Sequence, residues 1–165
     1  MRYMLLARES QEALLESLSA MPEILAEALG GLAPDEARIT SADGFTPVEQ
    51  CWHLADLERD GYGVRIRRLL TEDEPALPDF DGDRVARARD YKSLSLTEGL
   101  AVFRQARAEN VVALRRVSDR EWERRGTQEG VGPIGLCDVP AMMAEHDDAH
   151  RKEIAAWVDE RGHMP

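Results

Sequence analysis

Four imidazoles, His53, His146, His150 and His163, are the side chains of this sequence best suited to hold a divalent ion, because neutral histidine offers a lone pair without bringing charge. Two of them sit four residues apart in AEHDDAHRKEI, Ala144 to Ile154. On a helix that spacing puts the Cβ atoms about 6 Å apart, so both rings can reach one ion at roughly 2.1 Å from each nitrogen. Stepping by three and four gives the stripe Met143, His146, His150, Ile154, Trp157, which faces inward. A second stripe, His53, Leu57, Val64, brings a third imidazole to the interior. A buried imidazole without a partner loses ~1 to 3 kcal/mol of hydration. One divalent ion would satisfy all three rings at once; three separately hydrogen-bonded core histidines are the alternative. His163, beyond Gly162 in RGHMP, reads as exposed and uninvolved.

Other donor sets fit poorly. A di-iron bundle needs Glu-x-x-His units, and the residues three before the histidines are Gln50, Met143 and Asp147. The acidic run DFDGD, Asp79 to Asp83, would need glycine at Arg84 and glutamate at Asp90 to be a calcium loop, so it reads as a solvated acidic loop. Cys51 and Cys137 lack CxxC spacing and read as buried reduced thiols. Cys51 is two residues from His53, roughly 200° around the helix, and so points away from it. Arg65, Arg67 and Arg68 in RIRRLL could bind an anionic substrate, but neighbouring acids favour a solvated, ion-paired surface.

These residues need long helices to position them. Tyr3 to about Leu29 has helical spacing, with a kink or restart expected at Pro22 and a stop at Gly30-Gly31. TPVE, Thr46 to Glu49, is a capping box with proline at the first helical position, opening a helix to about Leu70. Ser95 to Glu98 starts a third helix ending near Ser118, and SDREW starts a short turn. The last helix runs from Asp138 or Val139 to about Arg161. No segment alternates convincingly with period two, so strands are not required. The expectation is an all-α fold, one four-helix bundle domain over residues 1–165, with crossovers in the long connections after the first and second helices.

At 165 residues and a net charge of −11, the chain is an acidic globular protein that a phosphate backbone would repel, which disfavours nucleic acid. No stretch approaches the ~20 apolar residues of a membrane span, and the start MRYMLLARES lacks a signal peptide's apolar region. A cytoplasmic protein is expected.

The sequence resembles the DinB/YfiT-like metalloenzyme family, close to its DinB-like subfamily. The stretches that carry the likeness are FTPVEQCWHLADLERDGYGVRIRRLL (Phe45 to Leu70), the EPALPDFD loop, Tyr91 to Arg107, the pair Glu121-Trp122, and AEHDDAHRKEI. The resemblance implies an up-up-down-down four-helix bundle, a homodimer, and one divalent ion, nickel or zinc, on His53, His146 and His150. Glu153 stands where the family often has glutamine, and Phe45 where tryptophan is common.

An open site of three neutral imidazoles suits catalysis more than structure, since a structural zinc site closes with a fourth protein ligand. Two activities on a small-molecule substrate follow. In the first, a polarised water attacks an ester or amide with a carboxylate as general base; Glu49 and Glu153 lie one turn from histidines, though capping or solvent exposure accounts for each. In the second, the ion lowers the pKa of a low-molecular-weight thiol, as the resemblance to thiol-dependent S-transferases of this superfamily implies. A non-enzymatic dimeric stress-response or structural metal-binding bundle is the remaining alternative.

Overall fold

The computed structural model describes residues 2–40 and 44–162; His163 lies outside them. Four long helices dominate. Tyr3–Leu5 forms a separate 3₁₀ turn, and α1 spans Arg8–Leu29. Pro22 lies inside α1 without ending it. Its missing N–H deprives the Leu18 carbonyl of its helical donor, and the buried Arg107 supplies one instead, Nη1 donating to Leu18 O at 2.9 Å.

The second long helix is composite: α2 (Pro47–Asp56), a π-helical segment (Leu57–Tyr62) and α3 (Gly63–Thr71). Its start is the expected box, Glu49 N–H donating to Thr46 Oγ1 at 3.3 Å and Thr46 N–H to Glu49 Oε2 at 2.9 Å. A π turn holds one extra residue, which rotates everything beyond it by about 100°. Val64 therefore leaves the expected inward stripe and is only half-buried, while Arg65, Ile66 and Leu69 take the inside. Asn110 Nδ2 donates to Glu58 O in this segment at 2.9 Å.

Next come β1 (Ala76–Leu77), α4 (Gly82–Arg89), and α5 (Leu96–Arg115), capped by the Ser95 side chain. After the short α6 (Asp119–Trp122), with its own Ser118–Glu121 box, β2 (Arg125–Gln128) and β3 (Gly132–Gly135) precede α7 (Val139–Gly162). The strands correct the expectation that none is required. β1 pairs parallel with β2, which pairs antiparallel with β3. The buried positions of β2 are Gly126 and Gln128, so its alternation carries no hydrophobic signal. Gly130 and Gly132 turn the hairpin at φ of 74° and 100°, a region other residues rarely adopt.

Cross-helix partners set the directions. Arg104 pairs with Glu23 while Arg115 pairs with Glu12, so α1 and α5 are antiparallel. Gln50 meets Glu153 while Tyr62 meets Met142, so the composite helix and α7 are antiparallel. Trp52 meets Ser95 while Glu58 meets Arg107, so the composite helix and α5 are parallel. The four-helix bundle is as expected, but in chain order the directions are up, down, down, up rather than up-up-down-down. The connection after α1 leaves and re-enters at one end, held there by Trp157 Nε1 donating to Ile39 O and by an Arg161–Glu36 ion pair. Among the described residues, only the segment between α3 and α5 crosses the bundle's length.

Two apolar clusters fill the bundle, one around Leu15, Leu18, Tyr62, Ile66 and Met143, the other around Met21, Leu25, Trp52, Phe103 and Trp157. On the composite helix, α5 and α7 the buried polar residues Glu58, Arg107, Asp147 and His150 fall between members of the two clusters. No helix among the described residues is long and apolar enough to cross a membrane.

Candidate metal centre

The capping box fixes where α2 begins, and His53 follows two turns later on the side facing α7. His146 and His150 project from successive turns of α7 toward it. The result is a convergence of three ring nitrogens: His146 Nε2 lies 3.3 Å from His53 Nε2 and 3.1 Å from His150 Nε2, with all ligand atoms within 4.8 Å of one another. Two nitrogens bonded to one ion at roughly 2.1 Å in a tetrahedral arrangement stand about 3.4 Å apart. The spacing fits.

The proton positions fit as well. His150 Nδ1–H donates to Gln50 Oε1, and Gln50 Nε2 in turn donates to Glu153 Oε2 at 2.6 Å. This chain fixes the amide orientation of Gln50 and leaves His150 Nε2 with its lone pair pointing at the other two rings. Burial, followed by the field of His150, pushes His53 down to about 4. Burial, then His150 and His53, pushes His146 down to about 3. His150 is also lowered by burial, opposed by Glu153 and Asp147. All three rings are therefore neutral at pH 7 and need lose no proton to become ligands. Neutral rings whose Nε2 atoms face one another cannot all be satisfied by mutual hydrogen bonds; a cation among them satisfies all three.

The walls come from elements that the histidine spacing does not reveal. Phe45 and Phe80 pack near His53, with ring centroids 5.4 and 6.2 Å away, and the Tyr62 ring meets His146 edge-on at 6.3 Å. Gly82, at the start of α4, lies against His53: a Cβ there would stand 2.5 Å from its Cε1 and 2.8 Å from its Nδ1. His53 Nδ1 is buried without a hydrogen-bond partner. The acidic loop is thus more than a solvated run. Asp81 caps α4 through Arg84 N–H at 2.9 Å, and the neighbouring residues cover a histidine.

Behind the site, Arg107 donates to both oxygens of Asp147 at 2.7 and 2.9 Å and to Glu58 Oε2 at 2.9 Å. These contacts tie α5 to the residue after His146 and to the π-helical segment after His53. Asn110 adds a bond to Glu58 Oε1 at 2.9 Å.

Glu49 is occupied by its capping box. Glu153 reaches the site on the Nδ1 side of His150, through Gln50 rather than beside the converging nitrogens. Cys51 is fully buried, its thiol pushed up to about 12 by burial, and packs near Gly99. Cys137 is also buried. Arg68 pairs with Glu72 and Arg67 is exposed, as expected of a solvated surface; Arg65 departs from that expectation and is buried. Gln50 was legible only as a polar residue on the inward stripe one turn before His53.

The DinB superfamily profile matches residues 17–154. The chain belongs to that superfamily. Two relatives share the name "Putative metal-dependent hydrolase". One, from Geobacillus thermodenitrificans, is 23% identical over 90% of this chain and 84% of its own length. The other, YfiT of Bacillus subtilis, is 24% identical over 91% of this chain and 86% of its own length. The solved YfiT structure, whose four-helix bundle topology is described as unusual, superposes with a TM-score of 0.87 at 21% identity, covering 95% of this chain and 90% of that one. A mycothiol-dependent maleylpyruvate isomerase superposes with a TM-score of 0.67 at 16% identity, over 84% of this chain and 58% of that one. These superpositions show a shared fold.

Proposed function

We propose that His53, His146 and His150 hold one divalent ion, nickel or zinc, and that the protein is a metal-dependent hydrolase acting on a small molecule. The observation that carries this is the convergence of three neutral Nε2 atoms, one of them fixed in its tautomer by Gln50. The names of the two relatives support the same activity. Imidazole donors suit both metals. A bound ion supplies Lewis acidity, polarising a water or a substrate carbonyl.

The chain's own residues supply the rest. Gln50 and Glu153 orient His150, Gly82 gives His53 room, and Phe45, Phe80 and Tyr62 limit the water around the rings. With no fourth protein ligand in the cluster among the described residues, the site suits a substrate more than a structural ion.

Chelated protein reloaded with nickel or zinc should hydrolyse members of a panel of small esters and amides, while His150→Ala should fold with a modest loss of thermal stability and no turnover. A steep loss of stability in His150→Ala, with no metal-dependent turnover in the parent, would instead make the ion structural and the bundle non-enzymatic. Reaction only when a low-molecular-weight thiol is added would favour the S-transferase activity, for which the likeness to the mycothiol-dependent enzyme gives a fold and no more. The proposal also takes the protein as a homodimer, expected in light scattering at twice the 18.5 kDa chain mass.

A further inference from the structure

Arg65 is a buried charge that the packing leaves unmatched. It is 4% exposed, and its Nε is buried with no hydrogen-bond partner. Among the described residues no carboxylate pairs with it, and its guanidinium lies over the Tyr62 ring at 5.3 Å from the centroid. Arg107, equally buried, shows what a structural arginine looks like here: two carboxylates and a carbonyl take its protons.

The placement of Arg65 follows from the π-helical segment. Twelve residues separate it from His53, and in a regular helix Val64, eleven residues on, would hold the same face. The extra residue of the π turn substitutes Arg65 for Val64, trading an apolar core contact for a buried cation. Tyr62 then stands between two groups, its ring 6.3 Å from that of His146 and under the Arg65 guanidinium. The Tyr62 hydroxyl is held away by donating to Met142 O at 3.3 Å.

The acids whose fields bear on Arg65 are the Tyr62 phenol and the exposed Asp79, and burial outweighs both, lowering its affinity for its proton. Its Nε is desolvated and unpaired, while the two terminal nitrogens carry no protein hydrogen bond among the described residues and reach solvent, where an anion can complete the group. Its fork matches the oxygens of a carboxylate or phosphate.

We propose that Arg65 anchors an oxyanion group, carboxylate or phosphate, of the small molecule whose reacting bond lies at the three histidines. The inference rests on the metal-centre proposal for the second half of that statement. The selectivity it implies is for anionic esters or amides over neutral ones.

The test uses the full chain stripped of metal, so that no anion can bind an ion instead. Sodium phosphate and sodium acetate are titrated at constant low ionic strength into the parent, Arg65→Met and Arg65→Lys, with binding and thermal midpoint both recorded. Expected are saturable binding of at least one anion by the parent, a loss of tenfold or more in Arg65→Met, and partial retention in Arg65→Lys. Without anion, Arg65→Met should melt at or above the parent's midpoint, because an uncompensated charge has gone. Stronger binding of acetate than phosphate would assign a carboxylate substrate, and the reverse a phosphate ester. Equal anion affinity in the parent and Arg65→Met, no binding by the parent, or a lowered midpoint in Arg65→Met would overturn the proposal. Anion binding at Arg65 in a protein that takes up no metal would leave the anion site standing and remove the metal centre, and with it the placement of the reacting bond at the histidines.

Discussion

Gln50 is the residue through which the histidine site is oriented. Its carbonyl takes the His150 Nδ1 proton and its amide is held by Glu153. Partners of this kind contribute ~10- to 100-fold to metal affinity in proteins generally. Gln50→Ala should weaken nickel or zinc binding by about that factor in a chelator competition, and unchanged affinity would show that His150 needs no orientation. Gly82→Ala should act on the other side, driving a methyl group into His53 and lowering metal affinity while the helical circular dichroism stays intact. The pH response follows from burial of neutral rings. His53 and His146 hold protons only below about 4 and about 3, whereas unfolded histidine protonates near 6.5. Between those limits the unfolded chain binds more protons, so metal-free protein should lose stability as pH falls below about 6.5 and show no histidine-dependent change above it. The three histidines were legible because their stripes repeat at helical spacing. Gln50 was not singled out, because an amide on an inward stripe acquires meaning only when the facing helix is known.

At the scale of elements, the caps were read from sequence with their partners, since Thr46 with Glu49 and Ser118 with Glu121 are local. What escaped was everything set by distant contacts. Pro22 predicts a kink, but its orphaned carbonyl is satisfied by Arg107 from another helix. The π-helical segment has no local signature in LERDGY, and it alone moves Arg65 inward. β2 hides because glycine and glutamine fill its buried positions. The Arg107 network makes a prediction at this scale. Arg107→Ala leaves Glu58 and Asp147 buried without their cation, and removing one partner from such a set costs about 3–5 kcal/mol. Urea denaturation should show a loss of that order; a change within about 0.5 kcal/mol, typical of surface substitutions, would mean that the carboxylates find other partners.

The whole molecule divides its labour by layer. Apolar clusters above and below a polar middle hold the bundle, and the middle carries both the histidines and the Arg107 network. A four-helix bundle was legible from four long stretches with helical spacing, two of them opened by capping signatures at Thr46 and Ser95. The order of helix directions was not, because loop length alone does not say whether a connection crosses the bundle or turns back at one end. The central claim is that this middle layer is a metal site. It is tested most directly by elemental analysis of purified protein, incubated with nickel or zinc and desalted, beside His53→Ala treated identically. One divalent ion per chain is expected in the parent and close to none in the variant. Equal metal content in the two proteins, or none in the parent, would contradict it.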